Sequence, residues 1–326
     1  MPALRGKAAV PIALALLLTA CLATPTGDPS RSTPGGSGAS TSSADVPEPS
    51  AGAESESPIE TSSPATASAA RSATALATPS TSPAWPTPGS CRSGARVIDA
   101  SPQTLYSVPA AGNEMALTFD MGGRLDPAIQ IMNLLIASGV CATIFPTGAM
   151  SQTAQGGQVL AIIRAHPELF EVGNHTMHHC DLVRGGLGSP TTAPCATGGA
   201  PSASFTRAEL TDSAAILRAA TGQDPAPYWR PPYGSFNGAV LAAAASVGYP
   251  KTLMWSIDTI DWKPVADGGP TASQIAANVV DHAAGGSVVL MHLGGYNTLD
   301  ALRSMIPALR ARGMLLTSVS DLLDGH

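Results

Sequence analysis

The chain has 326 residues, of which 12% are charged, 4% are aromatic and 44% belong to the hydrophobic class. Its formal net charge of −6 argues against a protein that binds nucleic acid by electrostatic attraction. The length allows one large domain or two ordinary ones, and the composition differs strongly between the first ninety residues and the rest.

The N-terminus has the features of an export signal. Arg5 and Lys7 precede a short apolar run, residues 8–20, which ends in Leu-Thr-Ala before Cys21. This ending resembles the bacterial lipobox, so we predict a signal peptide over residues 1–20 and a lipid anchor on Cys21. The alternative is an ordinary cleaved signal peptide with an incidental Cys. Both alternatives place the protein outside the cytoplasm, either on the outer face of the bacterial cytoplasmic membrane or secreted.

Residues 21–90 form a Ser/Thr/Pro/Ala-rich segment with very few large apolar side chains. Six acidic and two basic residues lie within it, so most of the net charge is there. Such a segment buries too little apolar surface to offset its ordering entropy, and we predict a disordered linker. A long tether of this kind suits a polymeric target in the cell wall better than a small diffusing solute.

Residues 91–326 have the size of one α/β barrel, and strand-like and helix-like segments alternate along them. The predicted strands are Met115–Phe119, Val140–Phe145, 228–230, Lys251–Ile257, Ser287–Met291 and Met314–Val319. The predicted helices begin at Asp126-Pro127, at a Thr206–Glu209 capping box and at Thr271, with others through Leu241 and through Leu302. The alternation predicts a parallel sheet covered by helices. An open doubly wound sheet is less favoured because no Gly-rich phosphate loop follows the first strand.

Four cysteines follow Cys21, and an exported protein is expected to pair them. Cys180 and Cys195 flank a Gly/Pro-rich loop, so we favour a disulfide between them, which leaves Cys91 and Cys141 as a second pair.

Polar residues follow five strand-like segments, at the ends where parallel barrels build their sites; the segment before His175 ends in Glu171-Val172-Gly173-Asn174. They are Asp120, His175 with His179, Arg230-Pro-Pro-Tyr-Gly234, Asp258 with Asp261-Trp262, and His292. Each alone has a structural explanation, such as a rigid turn or a core histidine. Five at five strand ends indicate a catalytic site.

These residue types suit hydrolysis of an amide by an activated water. His175 and His179 can bind Zn²⁺ or a similar ion as neutral imidazoles, with Co or Ni as alternatives. Asp120 can take a proton as general base, and His292 can protonate a departing amine. Arg230 can orient a carboxylate, and Asp261 can raise the pKa of His292.

The set resembles the five motifs of the polysaccharide deacetylases with a NodB homology domain, carbohydrate esterase family 4. The motifs are Thr118-Phe119-Asp120, His175-Thr176…His179, Arg230-Pro-Pro-Tyr-Gly234, Asp258…Asp261-Trp262 and Leu290…His292. The resemblance implies a distorted (β/α) barrel that removes N-acetyl groups from peptidoglycan or chitin-like glycans, or O-acetyl groups from xylan.

The resemblance also implies roles for single residues. Asp120 would be the base, His292 the acid, and His175 and His179 the metal ligands. Arg230 would orient Asp120, and Asp261 would tune His292. The backbone N–H of Tyr233 would hold the oxyanion, and Trp262 and Leu290 would line the pocket for the acetyl methyl group.

One position departs from the family pattern. The family's second Asp, its third metal ligand, is replaced here by Met121, and a thioether is a poor ligand for Zn²⁺. Three outcomes remain open: Asp120 itself binds the metal, another carboxylate such as Asp181 substitutes, or metal binding is weak or lost. We still expect catalysis because the rest of the set is present.

Two other functions remain open. An inactive glycan-binding lipoprotein would keep the groove and lose the metal, and Met121 favours it. A metal-independent hydrolase of small cyclic amides is less favoured because of the long tether. The expected partners are an acetylated glycan and, through the lipid anchor, a membrane; no nucleic acid and no oligomer is expected.

Overall fold

The computed structural model describes Cys91, residues 101–109, 111–188, Cys195 and residues 199–324. All of them belong to one compact unit, Ala77–His326. The predicted signal peptide, the lipobox Cys21 and the linker of residues 21–90 lie outside the described residues and stay predictions. Within the described part, no helix has the length and apolar character needed to cross a membrane.

In the part of the chain that the structure describes, nine strands form two sheets whose ladders are all parallel. The strands are β1 Gln103–Leu105, β2 Glu114–Met121, β3 Ala142–Pro146, β4 Phe170–Val172, β5 Tyr228–Trp229, β6 Lys251–Leu253, β7 Ile257–Asp258, β8 Val288–His292 and β9 Leu315–Thr317. One sheet has the order β1-β6-β5 and the other β4-β3-β2-β8-β7, with β9 also paired to β2. A parallel bridge from Asn174 to Trp229 joins the sheets, which gives the predicted distorted barrel.

The described residues form eight α-helices, most of which lie between consecutive strands. They are α1 Ala128–Ser138, α2 Gly148–Ser151, α3 Ala154–Ala165, α4 Ala203–Thr221, α5 Gly238–Ala245, α6 Ala272–His282, α7 Thr298–Ala311 and α8 Val319–Asp324. The largest core cluster joins the sheet to α1, α3, α6 and α7 through residues such as Ile131, Val159, Ile275 and Leu302.

The two-residue period of β2 decides which side chains reach the site. Met115, Leu117, Phe119 and Met121 all belong to the large apolar core. Successive side chains of a strand point to opposite faces, so Thr118 and Asp120 face the other side, toward the barrel interior. The register pairs Asp120 with His292 of β8, which brings the predicted base and the predicted acid to neighbouring strands.

The helix starts were predicted with mixed success. Thr271 caps α6, with a full capping box to Gln274. The Thr206–Glu209 capping box is wrong, because Ser202 is the N-cap of α4 and accepts a hydrogen bond from the backbone N–H of Phe205. Glu209 instead lies in the interior of α4. Its side chain is buried, and its carboxylate contacts the loop that carries His178.

Other boundaries moved by one or a few residues. α1 begins at Ala128 with Pro127 at the N-cap, one residue later than predicted, and Gly139 ends it in the left-handed conformation. The strand predicted over Lys251–Ile257 is divided between β6 and β7, which lie in different sheets. Short elements such as β1 and α2 were missed because three or four residues are too few to show a period.

Both favoured disulfides are present. Cys180 and Cys195 are bonded across a Cα–Cα distance of 5.4 Å, and Cys91 and Cys141 across 5.8 Å. The first pair closes the loop that follows His179, and the second ties Cys91 to the residue before β3.

Candidate active site

A cavity of about 520 Å³ lies at the carboxyl ends of the strands. Among the residues that line it are seven predicted from the sequence: Asp120, His175, His179, Tyr233, Trp262, Leu290 and His292. The other two predicted residues, Arg230 and Asp261, are buried behind the cavity wall. The structure therefore brings all nine together, although they are spread over 173 positions of the sequence, from 120 to 292.

Arg230 is fully buried and holds Asp120 in place. Its Nη1 donates to Asp120 Oδ1 at 2.7 Å, and its Nη2 donates to Thr118 Oγ1 at 2.9 Å. The carbonyl oxygens of Leu253 and Met254 accept its remaining hydrogen bonds. A buried guanidinium with this many acceptors is fixed in one orientation, so the carboxylate that it binds is fixed too.

Asp120 is ionised despite its burial. Burial alone raises its pKa, but the positive charge of Arg230 and the hydrogen bond that Arg230 donates outweigh this effect. The pKa of Asp120 therefore lies below its usual value. A carboxylate in this state can accept a proton at neutral pH.

His175 and His179 follow β4 and lie against each other edge to face, with ring centroids 4.8 Å apart. The carbonyl oxygen of Arg230 lies 2.8 Å from His175 Nδ1 and can only accept, so Nδ1 carries the proton and Nε2 keeps its lone pair. Burial lowers the pKa of both imidazoles, that of His179 to about 3. Both rings are therefore neutral, the form in which histidine binds a metal ion.

Gly122 leaves space for His179. A Cβ at position 122 would collide with the His179 imidazole, so no other residue fits there without displacing the ring. The preceding Met121 does not point into this space. It is fully buried in the apolar core, and its carbonyl accepts a hydrogen bond from the backbone N–H of Thr147 at 3.0 Å.

His292 is held by Asp261 through two hydrogen bonds. Asp261 Oδ1 lies 2.7 Å from His292 Nδ1, and Asp261 Oδ2 accepts from the His292 backbone N–H at 2.9 Å and from Thr298 Oγ1. Burial lowers the pKa of His292, but the charge of Asp261 and its hydrogen bond outweigh that effect and raise it. His292 thus keeps a proton at a higher pH than a free histidine does.

The mouth of the cavity is aromatic. Trp262 and Tyr233 are 55% and 47% exposed, whereas Leu290 is buried. Tyr233 has a φ of 60° in the Pro232–Gly234 turn, and its hydroxyl accepts a hydrogen bond from the backbone N–H of Gly188 in the Cys180–Cys195 loop. This loop therefore supports the residue predicted to bind the oxyanion.

The donor types at the cavity fit a divalent metal ion. His175 Nε2 lies 3.5 Å from Asp120 Oδ2, and two ligands on one tetrahedral zinc ion lie about 3.3 Å apart. As arranged, however, the described residues contain no group of three carboxylate, imidazole or thiol side chains that could hold an ion. Asp181 supplies no such third ligand: its Oδ1 accepts from the backbone N–H groups of Val183 and Arg184 and from Ser235 Oγ.

The placement of Met121 gives a testable prediction. Met121→Asp would bury a carboxylate among apolar side chains, and we expect it to lower the free energy of unfolding of the metal-free protein by at least about 3 kcal/mol. Met121→Leu keeps the volume and should change it by less than about 1.5 kcal/mol. Urea unfolding monitored by circular dichroism measures both. An unchanged unfolding free energy for Met121→Asp would mean that position 121 faces the cavity.

For four residues that support the site, this supporting role was not predicted from the sequence. Thr118 accepts from Arg230, Thr298 donates to Asp261, Glu209 contacts the His178 segment, and the Asn174 side chain accepts from the backbone N–H of Thr176. Thr118 had a signal, as the one polar residue inside the apolar run of β2. Thr298 and Glu209 are 37 and 31 positions from their partners, and no local pattern marks such contacts.

Comparisons with known proteins agree with the fold and with the family that the motifs resemble. The sequence model of the polysaccharide deacetylase family matches residues 107–252. A chitooligosaccharide deacetylase of Bradyrhizobium sp. is 32% identical over 223 residues, which are 64% of this chain and 90% of that protein. A peptidoglycan-N-acetylglucosamine deacetylase of Bacillus cereus is 30% identical over 212 residues, 64% of this chain and 67% of that protein.

Solved structures show the same likeness. A structure described as a CE4 family pseudoenzyme from Bacillus anthracis is 26% identical and superposes with a TM-score of 0.57, covering 69% of this chain and 70% of that one.

Proposed function

The chain belongs to the polysaccharide deacetylase family, and its named relatives include a chitooligosaccharide deacetylase and a peptidoglycan-N-acetylglucosamine deacetylase, which hydrolyse carbon–nitrogen bonds. We propose that this chain removes N-acetyl groups from cell-wall or chitin-like glycans. Peptidoglycan fragments and chitooligosaccharides are the proposed substrates, with O-acetyl groups as a secondary target. The observation that carries the proposal is the pairing, on neighbouring strands at one cavity, of an ionised Asp120 with a His292 whose pKa is raised.

The two residues have the protonation states that amide hydrolysis needs. Asp120, ionised and oriented by Arg230, accepts a proton from the attacking water. The backbone N–H of Tyr233 donates to the oxygen that becomes negative as the carbonyl carbon is attacked. His292, whose protonated form Asp261 stabilises, donates a proton to the nitrogen so that the sugar leaves as a free amine. Leu290 and Trp262 contact the acetyl methyl group.

Deacetylases of this family generally depend on a divalent metal ion. Here His175 and His179 would hold it, with Asp120 Oδ2 as the nearest carboxylate oxygen. Zinc is the proposed metal, and cobalt or nickel would substitute. Such an ion supplies Lewis acidity, which polarises the acetyl carbonyl and lowers the pKa of a bound water. Because Met121 provides no ligand, we expect weaker metal binding than a third anionic ligand would give.

The proposed location follows from the target. Named relatives act on peptidoglycan, which lies outside the cytoplasm. We therefore propose that the chain is exported by its N-terminal signal, that Cys21 carries a lipid anchor, and that residues 21–90 tether residues 91–326, as a monomer, within reach of the wall. The composition gives no reason to expect nucleic acid as a partner.

A second function is favoured by one observation. Met121 removes an anionic ligand, and a structural relative is described as a pseudoenzyme. An inactive glycan-binding lipoprotein would keep the aromatic mouth of the cavity and bind glycans without releasing acetate.

Acetate release separates the two functions. The purified protein is incubated with chitooligosaccharides and with N-acetylated peptidoglycan fragments in the presence of Zn²⁺ or Co²⁺. We expect acetate from the wild type and a rate about 10²- to 10⁴-fold lower for Asp120→Asn, which keeps the shape but loses the base. Asp300→Asn, an exposed change on α7, is the matched control. Saturable glycan binding with no acetate under either metal would establish the binding function instead.

A further inference from the structure

The segment His175–His179, which we call the histidine loop, has a backbone that its sequence does not favour. Thr176 and His179 have φ angles of 69° and 60°, in the left-handed region. A β-branched residue such as threonine rarely adopts this conformation. Contacts from elsewhere in the fold must therefore hold the loop, and with it the two imidazoles that it carries.

Glu209 of α4 supplies three of these contacts. Its Oε2 accepts from the backbone N–H groups of Met177 at 3.1 Å and His178 at 2.8 Å, and its Oε1 lies 2.6 Å from His178 Nδ1. The side chain is 3% exposed, so little water competes for these bonds. A buried carboxylate that accepts from two successive backbone N–H groups fixes the direction of the chain between His175 and His179.

The neighbouring residue of α4 holds the other side of the loop. The carbonyl oxygen of Leu210 accepts a hydrogen bond from Asn174 Nδ2 at 2.9 Å, and Asn174 Oδ1 accepts from the backbone N–H of Thr176. Glu209 therefore holds the middle of the histidine loop directly, and Leu210 holds its beginning through Asn174. His178 turns its Nδ1 toward Glu209, and it is absent from the residues that line the cavity.

We propose that Glu209 is a positioning residue that sets the separation and orientation of His175 and His179, and thereby the affinity of this site for a divalent metal ion. The proposal rests on the proposed function only in that it takes the two histidines as the metal ligands. Glu209 does not line the cavity, so it acts through the loop backbone and not on the substrate.

The test measures metal binding, not catalysis. Zn²⁺ is titrated calorimetrically into the metal-free full-length protein, as wild type, Glu209→Ala, Glu209→Gln and Glu171→Gln. Glu171 is a matched buried carboxylate that accepts from Thr143 Oγ1 and the Ser320 backbone N–H, away from the cavity. We expect affinity to fall about 10- to 100-fold for Glu209→Ala, by analogy with residues that orient metal ligands. Glu209→Gln should lose less, because its amide oxygen can still accept from the backbone. Glu171→Gln should bind as the wild type does.

A second measurement covers the case in which Glu209→Ala fails to fold. Hydrogen exchange of the Met177 and His178 amides in the metal-free protein should be slow in the wild type and in Glu171→Gln, and faster in Glu209→Gln. Unchanged Zn²⁺ affinity in both Glu209 variants would overturn the proposal, and so would unchanged amide exchange or a wild type that binds no Zn²⁺. Zn²⁺ binding without acetate release would overturn the proposed function and leave the role of Glu209 intact.

Discussion

Replacement of His292 by alanine is expected to lower the rate of acetate release about 10²- to 10⁴-fold, since the amine would leave without a proton donor. The cavity supplies no obvious substitute, because His175 and His179 have lowered pKa values and are neutral at working pH. The rate is measured as kcat on a chitooligosaccharide with saturating metal ion. His282→Ala, an exposed histidine on α6, is the matched control and should leave kcat unchanged.

The pH dependence of the same reaction tests the role of Asp261. The pKa of His292 is raised in the folded protein, so its acid form is present at low pH and is lost as the pH rises through that raised value. Activity should fall on the alkaline side accordingly. Asp261→Asn removes the charge that raises the pKa while burial still lowers it, so the alkaline limb should move to lower pH. An unmoved limb would show that another group sets it.

The free energy of unfolding should also depend on the protonation of His292, and this contribution should decrease as the pH rises. Because the folded pKa of His292 exceeds its unfolded value of about 6.5, the His292–Asp261 pair stabilises the fold fully below that unfolded value. The contribution is lost as the pH rises through the folded pKa. The His292→Ala variant lacks this contribution. Its free energy of unfolding should therefore fall less steeply with pH over this range than that of the wild type.

Replacement of Arg230 by methionine is expected to lower the free energy of unfolding by about 3–5 kcal/mol, because Asp120 would remain buried without a counter-charge. The carbonyl oxygens of Leu253 and Met254 would lose a donor as well. Arg230→Lys keeps the charge but not the planar fork, so it should destabilise less and still reduce activity by misplacing Asp120. Urea unfolding and acetate release measure the two effects.

The matched control is a surface ion pair, and acid provides a further check. Arg218→Met removes a partner of Asp224 at an exposed position, and we expect it to change the free energy of unfolding by less than about 1 kcal/mol.

The pH dependence of stability gives a second test of the Arg230–Asp120 ion pair. Since the pKa of Asp120 is lowered in the fold, the ion pair stabilises the protein above the unfolded pKa of Asp120, and this contribution is lost as the pH falls through the folded pKa. The difference between wild type and Arg230→Met should shrink in acid. A constant difference would mean that lost packing, not charge, explains the effect.

The sequence predicted those features that depend on the type of a single residue or on a short local pattern. The apolar run Met115–Phe119 predicts β2 with Asp120 after it, and polar residues after strands predict the cavity that the parallel register assembles. Gly139 ends α1, Thr271 caps α6, and the loop flanked by Cys180 and Cys195 closes through a disulfide.

The rest could not be predicted because it depends on contacts between distant segments. Thr206 and Glu209 match a capping box locally. The helix nevertheless begins after Ser202, and the Glu209 carboxylate contacts His178, which is distant in the sequence. Similarly, the run Lys251–Ile257 contains no Gly or Pro that would mark a break, but Met254 to Ser256 cross from one sheet to the other. Such a crossing is set by the barrel's closure and leaves no periodic mark.

The most direct test of the proposed chemistry is acetate release before and after removal of metal. The protein is treated with a chelator, assayed on N-acetylated peptidoglycan fragments and chitooligosaccharides, and assayed again after addition of Zn²⁺ or Co²⁺. We predict little acetate from the chelated protein and restored release with metal. Because Met121 provides no ligand, restoration should need more metal than a site with a third anionic ligand would. Full acetate release after chelation would contradict a metal-assisted site at His175 and His179, and no release under any metal would contradict a deacetylase.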